Sequence, residues 1–177
     1  MAEGKQQQMQ ERERRTRRCC FTGHRPENLS FSEQETMDAL EREIKKAVED
    51  GFDVFISGMA RGVDIWAAEC VLRQKERGEP IKLVCAVPFE GFDRAWSASW
   101  KQRYHRVLSK ADHVQFIGRG YTRSCFQERN KWMVDHSLRV IAVFEGGKGG
   151  TKNTLDYAAR QGVEVRLCRC GRTLLDD

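Results

Sequence analysis

The stretch that decides the fold is Val54-Phe55-Ile56-Ser57-Gly58-Met59-Ala60-Arg61-Gly62-Val63-Asp64-Ile65-Trp66-Ala67-Ala68-Glu69. It opens with a short apolar run suited to a buried strand, and helical spacing begins a few residues later with Val63, Trp66, Ala67 and Cys70. The pattern reads as strand, tight turn, helix. Gly58 and Gly62 let the backbone of such a turn pass close to a ligand, while the new helix aims its unpaired N–H groups and positive dipole end back at the turn. An anion, a phosphate above all, suits that place.

Working outward, the same alternation fills the chain. Arg18 to Thr22 reads as a first buried strand that exits through Gly23-His24-Arg25-Pro26. Ser30 and Ser32, each three residues before Glu33 and Glu35, are overlapping capping-box signals for a helix carrying Met37, Leu40, Ile44 and Val48 on one face. Ile81 to Val87 is apolar enough for a strand covered on both sides. Asp93 is placed to cap a helix bearing Trp96, Trp100, Tyr104, Val107 and Leu108. Strands follow at Asp112 to Ile117, Leu138 to Phe144 and Val163 to Leu167, with helices from about Cys125 to Ser137 and from Thr151 to Gly162.

Six strands alternating with five helices, joined by short connections, predict an α/β fold: a Rossmann-like, three-layer, open and mainly parallel sheet with helices on both faces. Ligands of such sheets sit outside the carboxyl ends of the strands. The glycine-bearing loops after the first, second and fifth strands should therefore converge on one side.

The 177 residues are 40 % hydrophobic, enough for one domain with a full core. Residues 1–17 are Gln, Glu and Arg with almost nothing apolar and read as a polar, flexible tail; residues 18–177 read as a single domain. The net charge is +5, of which the first eighteen residues carry +3. A nearly neutral body argues against a large nucleic-acid footprint, whereas a small anionic ligand needs only two or three arginines. No stretch has the length and apolarity of a membrane helix, and the N-terminus lacks the apolar core of a signal peptide, so a cytoplasmic location is expected with no membrane partner. Seven cysteines sit mostly inside strand and helix patterns, as reduced buried thiols do; Cys168-Arg169-Cys170 with Cys19-Cys20 lacks zinc-site spacing, and no metal is expected. Trp100 and Trp132 are candidates for a face between copies in a homo-oligomer.

The chemistry lies in the loops. Gly146-Gly147-Lys148-Gly149-Gly150-Thr151 opens a helix and offers an array of backbone N–H donors, to which the Thr151 and Thr154 hydroxyls can add. It is not a Walker A loop, because Gly149 follows Lys148 where Ser or Thr is required. Arg25 suits forked contacts with phosphate or carboxylate. His24 can act as acid, base or simple donor. Among Ser57, Ala60, Arg61, Asp64 and Glu69 of the central motif, Asp64 can serve backbone donors at the helix start. Glu69 can take a ribose hydroxyl, handle a proton or form a surface ion pair. Arg129-Asn130 and Asp135 can reach the crevice from their helix, and Phe89 and Phe92 are candidates for stacking on a base.

Phe21-Thr22-Gly23-His24-Arg25-Pro26 followed by Ile56-Ser57-Gly58-Met59-Ala60-Arg61-Gly62-Val63-Asp64 and Trp66-Ala67-Ala68-Glu69 resembles the YspA/YpsA-like branch of the SLOG superfamily. That group joins the LOG-type phosphoribohydrolases with the Rossmann-like domain of the DNA-processing protein DprA. The resemblance implies a nucleotide or nucleotide-derived ligand, often in sensing. It implies Gly23, His24, Arg25, Pro26, Ser57, Gly58, Ala60, Arg61, Gly62, Asp64, Glu69, Arg129, Gly146, Gly147, Gly149, Gly150, Thr151 and Thr154 as ligand-binding positions. LOG enzymes carry a catalytic glutamate three residues after the threonine of their glycine-rich motif; here Thr154 stands there, and Glu145 replaces the motif's proline. His24, Asp64 and Glu69 are the remaining candidates for catalysis, so an N-glycosidic hydrolase of nucleoside monophosphates is an alternative to plain binding. A DprA-like single-stranded DNA-binding module is another. The expected ligand is a small nucleotide or phosphoribosyl-type molecule, with no further cofactor.

Overall fold

The computed structural model describes residues 2–171; the last six residues of the expected domain lie outside it. After helix α1 (Ala2–Arg15), strand β1 (Arg18–Gly23) enters the core and leaves through a 3-10 turn at Pro26–Asn28. Then come α2 (Glu33–Glu49), β2 (Val54–Ser57), α3 (Val63–Glu76), β3 (Lys82–Val87), α4 (Ala98–Lys110), β4 (His113–Phe116), α5 (Cys125–Asp135), β5 (Arg139–Val143), α6 (Gly150–Arg160) and β6 (Glu164–Leu167). All neighbouring strands are parallel, in the order β4-β3-β2-β1-β5-β6. This is the Rossmann-like α/β fold expected from the sequence.

The order reverses between β1 and β5. From β1 the chain steps outward through β2, β3 and β4, then crosses to the far side of β1. Right-handed crossovers in opposite directions put the connecting helices on opposite faces. Met37, Leu40 and Ile44 of α2, Val71 of α3 and Val107 of α4 fill one layer with Phe21 and Phe55. Met133 of α5 and Ala158 of α6 fill the other with Cys20, Ile56 and Val140.

The adjacent thiols of Cys19 and Cys20 fall into these two opposite layers, as strand alternation requires. Burial pushes the Cys20, Cys70 and Cys85 thiols up to about 12. Among the described residues no group of three or more His, Cys, Asp or Glu is placed to hold a metal ion. No described helix is long and apolar enough to cross a membrane.

Local chemistry sets the helix starts. Ser32 caps α2, its hydroxyl accepting from the Glu35 N–H at 3.2 Å while the Glu35 carboxylate accepts from the Ser32 N–H at 2.9 Å. The overlapping box at Ser30 does not form, because Ser30 is taken by Glu145. Asp93 does not cap α4, which begins five residues later behind Ser97. Its backbone carbonyl instead closes a turn with the Trp96 N–H at 2.9 Å, and its buried carboxylate pairs with His105 at 2.9 Å. Trp96 wedges against Phe92 and Tyr104, at 5.0 and 5.4 Å, which holds that turn.

Residues 2–15, expected to be a flexible tail, form a helix anchored where it meets the domain. Arg15 donates to the Ser137 carbonyl at 2.9 Å, and Arg18 pairs with Glu11. These contacts, rather than an apolar stripe, tie α1 down. Trp100 and Trp132 are both half-buried, against Trp66 and His136 respectively.

Candidate functional site

The carboxyl ends of β1, β2 and β5 open into one cleft of about 380 Å³, beside the reversal in strand order. Gly23, His24 and Arg25 line it from the first loop, Ala60 and Asp64 from the second. Lys148, Gly149, Gly150 and Thr151 line it from the third. The expected convergence is present, and it arises because a parallel sheet sends every strand's end to the same side.

Two glycines of the central motif have a different use from the expected one. A Cβ on Gly58 would lie 2.5 Å from Arg129 Nη1 and 2.8 Å from Asp64 Oδ2. Gly62 has φ +90°, and a Cβ there would lie 2.8 Å from Pro26 Cδ and 3.0 Å from the His24 carbonyl oxygen. Both positions let protein approach protein. The start of α3 is thereby pressed against the Gly23-His24-Arg25-Pro26 turn.

Beneath the cleft lies a buried ion pair. Arg129, 5 % exposed, donates to the Gly58 carbonyl and stands 3.9 Å from the Asp64 carboxylate, which is 6 % exposed. The Ala60 N–H donates to the same carboxylate at 3.3 Å. Burial raises the Asp64 carboxyl above its ordinary range, while the Arg129 charge and the Ala60 donor hold it back. Ser57 supports this assembly: its hydroxyl donates to the Asp64 carbonyl at 2.7 Å and accepts from the Met59 N–H at 3.2 Å.

The third loop has the most open backbone of the three. Gly146, Gly147 and Gly149 all have positive φ, with open space where a side chain would stand, and α6 starts immediately behind them. Helical geometry leaves the first-turn N–H groups of α6 without intrahelical acceptors, facing the cleft together with the positive dipole end. Glu145 joins this loop to the first one, its carboxylate accepting from both the Ser30 N–H and the Ser30 hydroxyl. Those two bonds hold the Glu145 carboxyl below the usual range.

Several expected residues are turned elsewhere. Arg61 pairs with Glu27 at 3.1 Å and does not line the cleft. Glu69 receives Arg103 at 2.9 and 2.5 Å, in a separate groove between α3 and α4, so its surface ion-pair reading is the one realised. Thr154 is buried, and its hydroxyl donates to the Gly150 carbonyl at 2.8 Å inside α6. Asp135 accepts from the Tyr157 hydroxyl at 2.8 Å. Phe92 lines the cleft, whereas Phe89 packs behind it against Phe92, Tyr121 and Phe126.

Asn28, Phe126 and Lys148 line the cleft without having been singled out individually. Phe126 and Asn130 are one helical turn apart on α5, so the face that carries Asn130 could have pointed to Phe126. The lining holds three basic side chains, Arg25, Arg129 and Lys148, against one carboxylate, Asp64. His24 stacks on Phe144 at 5.3 Å, which fixes the imidazole at the mouth.

A parallel, doubly wound sheet with a cationic cleft at the reversal of its strand order defines a Rossmann-like protein. More narrowly, the chain belongs to the YspA SLOG family, whose sequence profile matches residues 19–166. An uncharacterised SPbeta prophage-derived protein, YoqJ of Bacillus subtilis (strain 168), is 36 % identical over 65 % of this chain and 74 % of its own. A UPF0398 protein of Bacillus thuringiensis (strain Al Hakam) is 30 % identical over 81 % of this chain and 83 % of its own. Among solved structures, DNA processing protein A (DprA) from Streptococcus pneumoniae superposes with a TM-score of 0.64 at 21 % identity, covering 91 % of this chain. The chain spans 52 % of that DprA chain, so the likeness is one of fold.

Proposed function

We propose that this chain binds a small nucleotide or phosphoribosyl-type ligand in the cleft at the ends of β1, β2 and β5. One observation carries the reading: Arg25, Arg129, Lys148 and the N-terminus of α6 converge on a single cavity whose lining includes just one carboxylate. The phosphate rests on the first-turn amides of α6 and is neutralised by Lys148 and Arg25. Phe92 and Phe126 form the apolar wall on which a base stacks, and Asn130 offers donor and acceptor to polar edges.

Binding is favoured over N-glycosidic hydrolysis because the candidate acids are absent, turned out of the cleft or already paired. Thr154 occupies the LOG glutamate position, Glu69 is held by Arg103, and Asp64 is committed to Arg129 and Ala60.

Thermal shift against a panel of nucleotides and nucleotide sugars tests the proposal. A ligand at a hundred times its Kd stabilises by about 2.7 kcal/mol, which for a chain of this size raises Tm by about 5–11 °C. Folded protein whose Tm moves with no panel member refutes it. Release of free base from a nucleoside monophosphate would move the reading to hydrolysis.

A further inference from the structure

The cleft has a neighbour that shares a wall with it. Asn130 of α5 lines the cleft and also lines a second cavity, of about 290 Å³, in the groove between α5 and α6. Thr151 and Thr154, about one turn apart on α6, stand in the first and the second respectively. The two cavities therefore follow one another along α6, with Asn130 between them.

The second cavity has its own recognition chemistry. Tyr157 presents its ring there, fixed by the hydroxyl bond to Asp135 at 2.8 Å. The Lys131 ammonium and the Arg160 guanidinium lie over that ring, at 5.6 and 5.8 Å from its centre. Asp156, the one carboxylate lining the groove, is held by Lys152. Among the described residues, then, neither Lys131 nor Arg160 is paired with a carboxylate, and each rests only on the Tyr157 ring. The phenol ring and the planar guanidinium beside it form one continuous stacking platform for a base, the ammonium gives a point charge for phosphate, and the Asn130 and Asn153 amides can read base edges. A mononucleotide seated in the cleft has no second base to place on this equipment.

We propose that the α5–α6 groove is the second station of the same binding site, and that the ligand class is a dinucleotide, two nucleosides joined through phosphate. This rests on the nucleotide reading of the cleft. One nucleoside and the α6-bound phosphate occupy the cleft. The linkage crosses at Asn130, and the second base stacks at Tyr157 and Arg160.

Calorimetric titration with AMP and GMP against pApA, pGpG and the 5′,5′-diphosphate-linked diadenosine and diguanosine tests it. At least one dinucleotide is expected to bind about tenfold or more tightly than its mononucleotide, the gain expected from one stacked base. Tyr157→Ala should erase that advantage while leaving mononucleotide affinity unchanged, and Tyr157→Phe should keep it. The inference is overturned if no dinucleotide gains over its mononucleotide, if Tyr157→Ala leaves the gain intact, or if that variant weakens both ligands equally. In the first two cases mononucleotide binding still stands and the cleft keeps its assignment; in the third, mononucleotide binding itself depends on the α5–α6 groove and the cleft assignment falls with the inference. If none of the six probes binds, the dinucleotide inference falls, and the thermal-shift panel decides the wider reading.

Discussion

Replacing Arg129 with methionine isolates the ion pair beneath the cleft. The substitution keeps most of the side chain's length and apolar bulk but leaves Asp64 buried without its cation, 3.9 Å away in the wild type, and frees the Gly58 carbonyl. Breaking one side of a buried pair costs about 3–5 kcal/mol, so Tm at neutral pH should fall by about 6–20 °C. The pH dependence gives the reasoning a sign. Burial already raises the Asp64 carboxyl in the folded state, and Arg129 is the largest influence opposing the rise. Without Arg129 the folded value climbs further from the unfolded one. A group raised on folding gives its full stabilisation below its unfolded value, about 3.9, and loses it as pH rises through the folded value. The deficit of Arg129→Met against wild type should therefore be small near pH 4 and large near pH 8, within the approximate range set by that reference value. Adding Asp64→Asn to Arg129→Met should recover much of the loss at the higher pH. Chemical denaturation of the four proteins of this cycle, at both pH values, measures all three expectations. A deficit under about 1 kcal/mol at neutral pH, or one that does not change with pH, would show that Asp64 does not carry a buried charge.

Three further outcomes are expected. Gly62→Ala places a Cβ 2.8 Å from Pro26 Cδ at a φ of +90°; it should lose more than about 1 kcal/mol, and an unchanged melting curve would mean that the His24–Pro26 turn is not clamped to α3. Lys148→Ala, at an exposed position, should leave Tm unchanged while weakening a phosphate-bearing ligand about tenfold or more; equal affinity in titration would remove Lys148 from the site. Glu69→Gln should loosen the Arg103 contact and lower stability by about 1 kcal/mol while leaving cleft affinity as it was; a loss of affinity would return Glu69 to the site.

The fold was legible because its determinants are local and periodic. Short apolar runs at β1, β3 and β5 and the spaced faces of α2, α4 and α6 fix a βα alternation, and the parallel sheet follows from short crossovers. The loops of the site were legible for the same reason, since strand ends in such a sheet share one side. What could not be read were partners distant in sequence. Arg61 faces Glu27 only because the turn before α3 is pressed against the turn after β1, and Glu69 faces Arg103 only because α3 and α4 pack side by side. Gly58 looks like a ligand-contacting residue in the motif, yet its missing side chain makes room for Arg129, seventy-one positions away. The α1 helix has no apolar stripe to announce it, and its tie to Ser137 appears only in three dimensions.

The thiols held in the two core layers make the protein its own gauge of opening. Cys20, Cys70 and Cys85 stay protonated far into the alkaline range and have no path to solvent while the sheet is intact. A thiol-reactive reagent can therefore label them only when the chain opens. Because Cys19 and Cys20 report from opposite faces of one strand, the order in which they react tells which helical layer lifts away first.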